Sequence, residues 1–218
     1  MSRKQFRASV VQLDWDGTLL NSYAADARAY LAMFRALKIE WGLAELERHY
    51  SPDWYQVYRA ANVPRARWAE ANRLWRASYL AERPRLLPGA RGVIRALGKN
   101  FTLAIVTGGS GDRVRPQLRA FGLADYFSVC VCSEDAPRKK PHPAPLQRAL
   151  KRLCAEPEEC VYVGDAPEDI EMARRASVRG IGVFGPFPTA ERLRRAKPEL
   201  LLDSIRDLPR YLVSRERA

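Results

Sequence analysis

The sequence feature that most constrains the fold is an alternation of short apolar segments with helical segments, which runs without interruption from residue 88 onward. The apolar segments are rich in Val, Ile and Leu, whereas the segments between them carry apolar residues at helical spacing. Strands that alternate with helices are typical of βαβ units, which build a parallel sheet with helices packed against it. We therefore predict an α/β fold with a parallel sheet.

The expected elements can be given by position. Strands are predicted at residues 10–15, 101–107, 129–132, 160–163, 180–184 and 200–203. Helices are predicted at residues 88–97, 113–121, 144–153 and 167–176. In an open parallel sheet, ligands bind at the carboxyl ends of the strands, so those ends are where we look for chemistry.

Residues 22–86 break the alternation, because they show no convincing strand and consist of helical segments interrupted by Gly42, Pro52 and Pro64. We predict two parts: an α/β core made of residues 1–21 and 87–218, and a small all-helical unit at 22–86 inserted after the first strand. Four of the five tryptophans fall in the insert: Trp41, Trp54, Trp68 and Trp75. We interpret them as a small helical core rather than an aromatic ligand site, since aromatic residues at helical spacing usually pack inward.

Composition excludes several classes of protein. The 218 residues are 47% hydrophobic and 28% charged, which indicates a folded globular chain. The net charge of +12 is spread along the sequence without a basic tail, so we do not expect nucleic-acid binding. No apolar run approaches the roughly 20 residues of a membrane span, and Met1–Phe6 lead into a strand rather than a signal peptide. We expect a cytoplasmic protein that binds no membrane.

Two carboxylates follow the first strand in the segment Asp14-Trp15-Asp16-Gly17-Thr18. On its own, Asp-Gly-Thr is an ordinary turn. Two acids at the end of a buried strand are costly, however, because like charges at short distance raise each other's pKa. A divalent metal between them would remove that cost.

Three further segments carry polar groups near strand ends. Thr107-Gly108-Gly109 begins a glycine-rich loop before a helix, which suits an anion but also fits a plain loop. Lys140-Pro141 lies in a basic cluster that could equally be a solvated loop. Asp165 and Asp169 are four residues apart after another strand, and their side chains could be helix caps or metal ligands.

Taken together, these four segments resemble the haloacid dehalogenase-like hydrolase superfamily, in its phosphatase branch with a helical cap, and the layout is similar to phosphoglycolate phosphatases. The family pattern is Asp-x-Asp-Gly-Thr, then Thr or Ser, then Lys-Pro, then Gly-Asp-x-x-x-Asp. All four parts occur here in that order, and the resemblance covers about residues 10–183. It implies a Rossmann-like core, a cap at the insert, and a monomer or homodimer.

The resemblance also implies a role for each matching residue. Asp14 would be the nucleophile that becomes an aspartyl phosphate, and Asp16 the general acid and base. Thr107, Gly108 and Lys140 would bind the substrate phosphate. Mg²⁺ would be held by Asp14, Asp165 and the backbone carbonyl of Asp16. Asp169 would fix that geometry, either from beside the metal ligands or by binding the metal through a water molecule. Arg113 and His142 are further candidates for accessory groups.

The expected function is Mg²⁺-dependent hydrolysis of a small phosphorylated metabolite. A dehalogenase is disfavoured because its chemistry does not need Asp16, and a receiver-type signalling module would have no helical insert. A phosphomutase of the same fold stays open, since it would use the same two carboxylates and differ in water exclusion. A non-catalytic phosphoryl-binding protein also stays open.

Overall fold

The structure is a computed structural model that describes residues 8–212; the predicted opening at Met1–Phe6 and the last residues of the predicted core lie outside this range. Its centre is a six-stranded sheet made of β1 (Val10–Leu13), β4 (Thr102–Val106), β5 (Phe127–Val131), β6 (Cys160–Gly164), β7 (Arg179–Val183) and β8 (Leu200–Leu202). The strand order is β5-β4-β1-β6-β7-β8, and every neighbouring pair is parallel. The predicted α/β fold class is confirmed, with strand ends shifted by at most two residues.

Helices cover both faces of this sheet, which is why its central strands are apolar on both sides. They are α5 (Ala90–Leu97), α6 (Gly111–Ala120), α7 (Ala144–Leu153), α8 (Pro167–Arg175), α9 (Ala190–Arg195) and α10 (Leu208–Leu212). On one face Leu13 and Ile105 pack in a buried cluster with Ile94 of α5. On the other, Val106 packs with Leu146 and Met172.

The segment between the first two strands of the sheet is helical. It contains α1 (Tyr23–Ala36), α2 (Leu43–His49), α3 (Trp54–Ala60) and α4 (Trp68–Leu80). These helices have a buried cluster of their own, built around Phe34, Leu46, Val57 and Tyr58. Within the described residues, no helix combines the length and the apolar character needed to cross a membrane.

A two-stranded antiparallel ribbon joins the ends of this helical segment, which we did not predict. Its strands are β2 (Leu20–Asn21) and β3 (Arg85–Leu86). The difference has a simple reason: two-residue strands are too short for an alternating pattern to reveal them. The ribbon therefore holds together the two chain segments that connect the helical segment to the rest of the protein.

The tryptophans of the helical segment behave in two ways. Trp41 packs edge-on against Phe34, and Trp68 stacks on Tyr55, as expected for a small helical core. Trp54 and Trp75 pack against the same cluster, but they also line a cavity between the helical segment and the sheet. The interpretation as core residues therefore describes only part of what these two side chains do.

Parallel pairing decides where the polar segments meet. Leu13, the last residue of β1, lies beside Ile105 of β4 and Val163 of β6. The residues that follow these strands therefore emerge at one edge of the sheet, directly below the helical segment. This edge contains the candidate site.

Candidate active site

Three buried side chains form the centre of the site. Asp14, Lys140 and Asp169 come from the end of β1, the loop after β5 and the first turn of α8. The Nζ atom of Lys140 lies 2.9 Å from Oδ1 of Asp14 and 2.7 Å from Oδ1 of Asp169. All three residues are at most 7% exposed. The sequence-predicted Lys140 is therefore an ion-pair partner of the predicted nucleophile rather than a solvated loop residue.

Tyr162 fixes the position of Lys140. Its hydroxyl accepts a hydrogen bond of 2.7 Å from Lys140 Nζ and donates one of 2.8 Å to the backbone carbonyl of Val106. Burial alone would lower the pKa of Lys140, but Asp14 and Asp169 outweigh it and hold that pKa above its usual value. The ammonium is thus kept charged and aimed at the carboxylates.

One carboxylate oxygen of Asp14 lacks a hydrogen-bond partner. Lys140 is close to its Oδ1 atom, yet this oxygen has no well-directed hydrogen bond and is buried from water. Burial raises the pKa of Asp14 to about 7, against the opposing pull of Lys140. A second cation at this oxygen would relieve the cost of burying the ionised carboxylate.

Asp165 lies on the other side of the same site. Its Oδ1 accepts a hydrogen bond of 3.0 Å from Thr18, and its backbone carbonyl accepts one of 2.7 Å from Thr189. Burial raises the pKa of Asp165 well above its usual value, and the neighbouring Asp14 raises it further. A methyl group at Gly17 or at Gly185 would collide with Asp165 Oδ2, so this oxygen faces a space that only glycine leaves open.

Asp169 is already fully engaged. Its Oδ1 contacts Lys140 and Tyr162, and its Oδ2 accepts a hydrogen bond of 3.0 Å from the backbone N–H of Ala166. The last contact closes the first turn of α8, so Asp169 acts as a helix cap as well as a partner of Lys140. Of the two roles that the sequence left open for Asp169, the helix cap is present in the structure, and a role at a metal ion stays a prediction.

The donor set fits a hard divalent cation. Within the described residues, Asp14, Asp165 and Asp169 can place one carboxylate oxygen each within 4.8 Å of one another. Carboxylate oxygens are the ligands that such cations prefer, and Asp14, whose Oδ1 lacks a hydrogen bond, belongs to this cluster. The cluster could therefore hold a metal ion, with Asp14 and Asp165 freer to bind it than Asp169.

The side chain of Asp16 is paired with Arg113 and is not one of the three carboxylates of this cluster. Its two carboxylate oxygens lie 3.0 Å and 2.5 Å from the Nη1 and Nη2 atoms of Arg113. Arg113 lies in the first turn of α6. Arg113 also donates to the hydroxyl of Tyr79 and lies under its ring. Arg113, an accessory candidate from the sequence, thus links Asp16, the predicted general acid and base, to α4 of the helical segment.

The predicted phosphate-binding residues lie on the wall of the same cavity. Thr107 and Gly108 face it directly after β4. Not every amide of their loop is free, because Gly109 N–H donates to Thr107 Oγ1 and Gly111 N–H donates to Glu134. His142, the other accessory candidate, accepts a hydrogen bond from Ala144 N–H at the start of α7 and is not among the residues lining the cavity.

The cavity has a volume of about 260 Å³, below the roughly 300–1,000 Å³ of sites that take drug-sized ligands. Its floor is the carboxyl edge of the sheet, and its roof comes from α1, α3 and α4. Several roof residues were not identified from the sequence: Asp26, Tyr30, Asn72, Arg76 and Tyr79. In the sequence, Asp26 has the pattern of an ordinary helix N-terminal acid, which gives no signal of a cavity.

Comparison with known proteins assigns the family. A family model described as haloacid dehalogenase-like hydrolase matches residues 11–183. This match covers most of the chain and contains Asp14, Thr107, Lys140 and Asp165. The protein belongs to the haloacid dehalogenase-like hydrolase family, as the resemblance implied.

Curated relatives and solved structures agree with this assignment. The chain is 33% identical over 124 residues to a phosphoglycolate phosphatase of Escherichia coli K12, a match covering 56% of the chain and 49% of the relative. The match therefore spans about half the length of that relative. CbbY from Rhodobacter sphaeroides, solved with phosphate, is 25% identical with a TM-score of 0.78, covering 92% of this chain and 96% of that one. A structure described as a predicted phosphoglycolate phosphatase from Haemophilus somnus has a TM-score of 0.83 at 22% identity, covering 94% and 97%, and supports the fold alone.

Proposed function

We propose that this protein is a Mg²⁺-dependent phosphatase that hydrolyses a small phosphorylated metabolite through an aspartyl phosphate on Asp14. The observation that carries the proposal is the position of Asp14: a buried carboxylate paired with Lys140, beside Asp165, at the floor of a cavity. The family and the phosphatase names of the curated relatives support the same reaction.

In the first half of the reaction, a carboxylate oxygen of Asp14 attacks phosphorus and the bond from phosphorus to the leaving oxygen breaks. The leaving oxygen takes a proton from Asp16. Lys140 neutralises charge beside the nucleophile, and Thr107 and Gly108 hold the phosphoryl oxygens. The product of this half is the free alcohol and an aspartyl phosphate.

In the second half, a water molecule attacks phosphorus and gives a proton to Asp16. The bond between phosphorus and the Asp14 oxygen breaks, which releases inorganic phosphate. Asp16 must turn from Arg113 toward the leaving group to serve in either half. A bound Mg²⁺, held by Asp14, Asp165 and the carbonyl of Asp16, would supply charge neutralisation for the phosphoryl oxygens. Asp169 would keep Lys140 in place without binding the metal directly.

We propose that residues 22–86 serve as the cap and residues 1–21 and 87–218 as the core. The supporting observation is that α1, α3 and α4 roof the cavity, where they would exclude water and contact the leaving group. The volume of about 260 Å³ favours a small ester. We propose a monomer or homodimer that acts in the cytoplasm. Reduced thiols are expected there, and Cys130 and Cys132, whose Sγ atoms are 3.5 Å apart in a hydrogen bond, are not joined by a disulfide.

The test is release of inorganic phosphate from a panel of phosphomonoesters, with Mg²⁺ and with EDTA. We expect metal-dependent release by the wild-type protein and none by Asp14→Asn. Asp125→Asn is the matched control, because it makes the same change on an exposed residue. Activity retained by folded Asp14→Asn would overturn the nucleophile assignment.

The same assay separates the alternatives. A phosphomutase would isomerise its substrate with little release of phosphate. A non-catalytic binding protein would release none from any ester. Either result, obtained with folded protein and Mg²⁺ present, would overturn the phosphatase proposal.

A further inference from the structure

The charges that line the cavity are unevenly distributed between its floor and its roof. Each cationic side chain on the lining already faces a carboxylate among the described residues: Lys140 faces Asp14 and Asp169, Arg113 faces Asp16, and Arg76 faces Asp112. Lys140 lies at the floor, where the phosphate would bind. The roof therefore offers no unpaired cation, within the described lining, to a substrate's leaving group.

Asp26 is the acid of the roof, and it has no cationic partner of its own within the described residues. Its Oδ1 accepts a hydrogen bond of 3.1 Å from the indole N–H of Trp75, which is a neutral donor. Arg113 is the nearby cation, but its guanidinium is occupied by Asp16. Burial raises the pKa of Asp26 to about 7, and the charge of Asp16 adds to this effect. The Asp26 carboxylate thus has no opposite charge to offset the free-energy cost of its burial.

Aromatic rings line the cavity together with this carboxylate. Trp75 stacks on Tyr79 with ring centroids 4.9 Å apart, and Tyr30 meets Trp75 edge-on at 6.3 Å. All three rings line the cavity. The faces of such rings attract cations, and the attraction grows when water is excluded.

An independent observation also points to a missing ligand. The hydroxyl of Ser22 lines the same cavity and is buried, yet it has no hydrogen-bond partner. A buried hydroxyl without a partner costs free energy unless a ligand supplies one. A primary ammonium group has three N–H donors, which suit a carboxylate, a hydroxyl and a ring face together.

We propose that the substrate is the phosphate ester of a small amino alcohol, whose cationic amine binds to Asp26 among Tyr30, Trp75 and Tyr79. The inference rests on the proposed phosphatase function and names the substrate class of that site. It differs from phosphoglycolate, since the carboxylate of that ester would meet Asp26 with the same charge and find no unpaired cation on the described roof.

Three esters of matched length test this inference: phosphoethanolamine, 2-hydroxyethyl phosphate and phosphoglycolate. They differ only in whether an ammonium, a hydroxyl or a carboxylate ends the two-carbon leaving group. We expect kcat/KM to be at least about ten-fold higher for the ammonium ester than for the hydroxyl ester, and lowest for phosphoglycolate. This preference should shrink to about two-fold or less in Asp26→Asn and persist in the surface control Asp125→Asn.

The order of kcat/KM for the three esters with the wild-type protein tests the inference without any variant. Equal rates for the ammonium and hydroxyl esters, or a preference for phosphoglycolate, would overturn it while leaving the phosphatase proposal intact. p-Nitrophenyl phosphate serves as the generic substrate, and absence of its Mg²⁺-dependent hydrolysis together with that of all three esters would overturn the phosphatase proposal instead.

If none of these esters is hydrolysed, binding replaces turnover as the readout. Calorimetric titration of the wild-type protein with each ester in the presence of Mg²⁺ should still show tighter binding of the ammonium ester, and the difference should be lost in Asp26→Asn. Equal affinities for the ammonium and hydroxyl esters would overturn the inference in this form as well.

Discussion

The guanidinium of Arg113 contacts both carboxylate oxygens of Asp16, with Nη1 3.0 Å from Oδ1 and Nη2 2.5 Å from Oδ2. Paired contacts of this kind fix direction as well as charge, which a lysine at the same position would not reproduce. Arg113 also contacts Tyr79 of the helical segment, so the orientation of Asp16 is tied to the position of α4. We regard Arg113 as a positioning residue for Asp16.

The first prediction concerns Asp16 itself. Asp16→Asn should lower phosphate release from alkyl phosphates by about 10²-fold or more, in line with the usual effect of a general acid. p-Nitrophenyl phosphate has a good leaving group that needs little protonation, so its first half-reaction should suffer less. Stopped-flow measurement should then show a burst of p-nitrophenol followed by slow turnover. An unchanged steady-state rate would remove Asp16 from both proton transfers.

The second prediction concerns Arg113. Arg113→Lys keeps a positive charge but loses the two parallel contacts, and we expect kcat on alkyl phosphates to fall about ten-fold with KM little changed. The loss should be smaller on p-nitrophenyl phosphate, as for Asp16. Equal losses on both kinds of ester, or a change in KM alone, would contradict a positioning role.

The third prediction is the effect of removing Lys140. Lys140→Met leaves Asp14 and Asp169 buried without their cation, and breaking a buried pair of this kind costs roughly 3–5 kcal/mol. Burial raises the pKa of Asp14, so this carboxylate takes up a proton in the folded state as the pH falls. The cost should therefore be larger at pH 8 than at pH 5. Urea unfolding at the two pH values measures it, and a pH-independent cost would contradict the account.

The fourth prediction concerns the stability contribution of Asp26. Its pKa is about 7 in the folded protein against 3.8 in the absence of burial, so the folded state holds its proton more tightly. The contribution of Asp26 to the free energy of unfolding should then fall as the pH rises from about 4 to 7, and level off above 7. Three pKa units correspond to about 4 kcal/mol. Because Asp26 is only partly buried, we expect an effect on the order of 2 kcal/mol. Asp26→Asn should be more stable than wild type by that amount at pH 8.

Urea unfolding at pH 4 and pH 8 checks this fourth prediction. The two proteins should have nearly the same free energy of unfolding at pH 4, where Asp26 is protonated in wild type. Asp125→Asn, on the surface, should show no comparable pH-dependent gain. A constant difference between wild type and Asp26→Asn across this range would contradict the raised pKa.

The fifth prediction concerns metal binding apart from turnover. A ligand that binds only the folded state at a hundred times its Kd adds about 2.7 kcal/mol of stability, so Mg²⁺ should raise the Tm of the wild-type protein by several degrees. Asp165→Asn removes one proposed ligand and should abolish the increase. Gly185→Ala should weaken it, because its methyl group would meet Asp165 Oδ2 at 2.8 Å and the carbonyl oxygen of Gly17 at 2.4 Å. A full Mg²⁺ effect in Asp165→Asn would place the metal elsewhere.

Much of the architecture was readable because the local patterns and the tertiary structure agree. The central strands are buried on both faces, so their sequences are largely apolar, with Gln12 as an exception in β1, and stand out between amphipathic helices. The ribbon of β2 and β3 was missed because two-residue strands carry no period. Trp54 and Trp75 were only partly understood, since the same spacing serves a helical core and the wall of a cavity.

The sequence by itself determined the α/β fold and the order of Asp14, Thr107, Lys140 and Asp165 along the strand ends. It could do so because parallel strands deliver their carboxyl ends to one edge, whatever the details of packing. Only the tertiary structure decided that Tyr162 holds Lys140, that Arg113 holds Asp16 and that Asp26 faces a cavity ringed by aromatic side chains. These contacts join residues between 22 and 97 positions apart, and in the case of Asp26 and Trp75 49 positions apart, and no local period records which side chains meet over such distances.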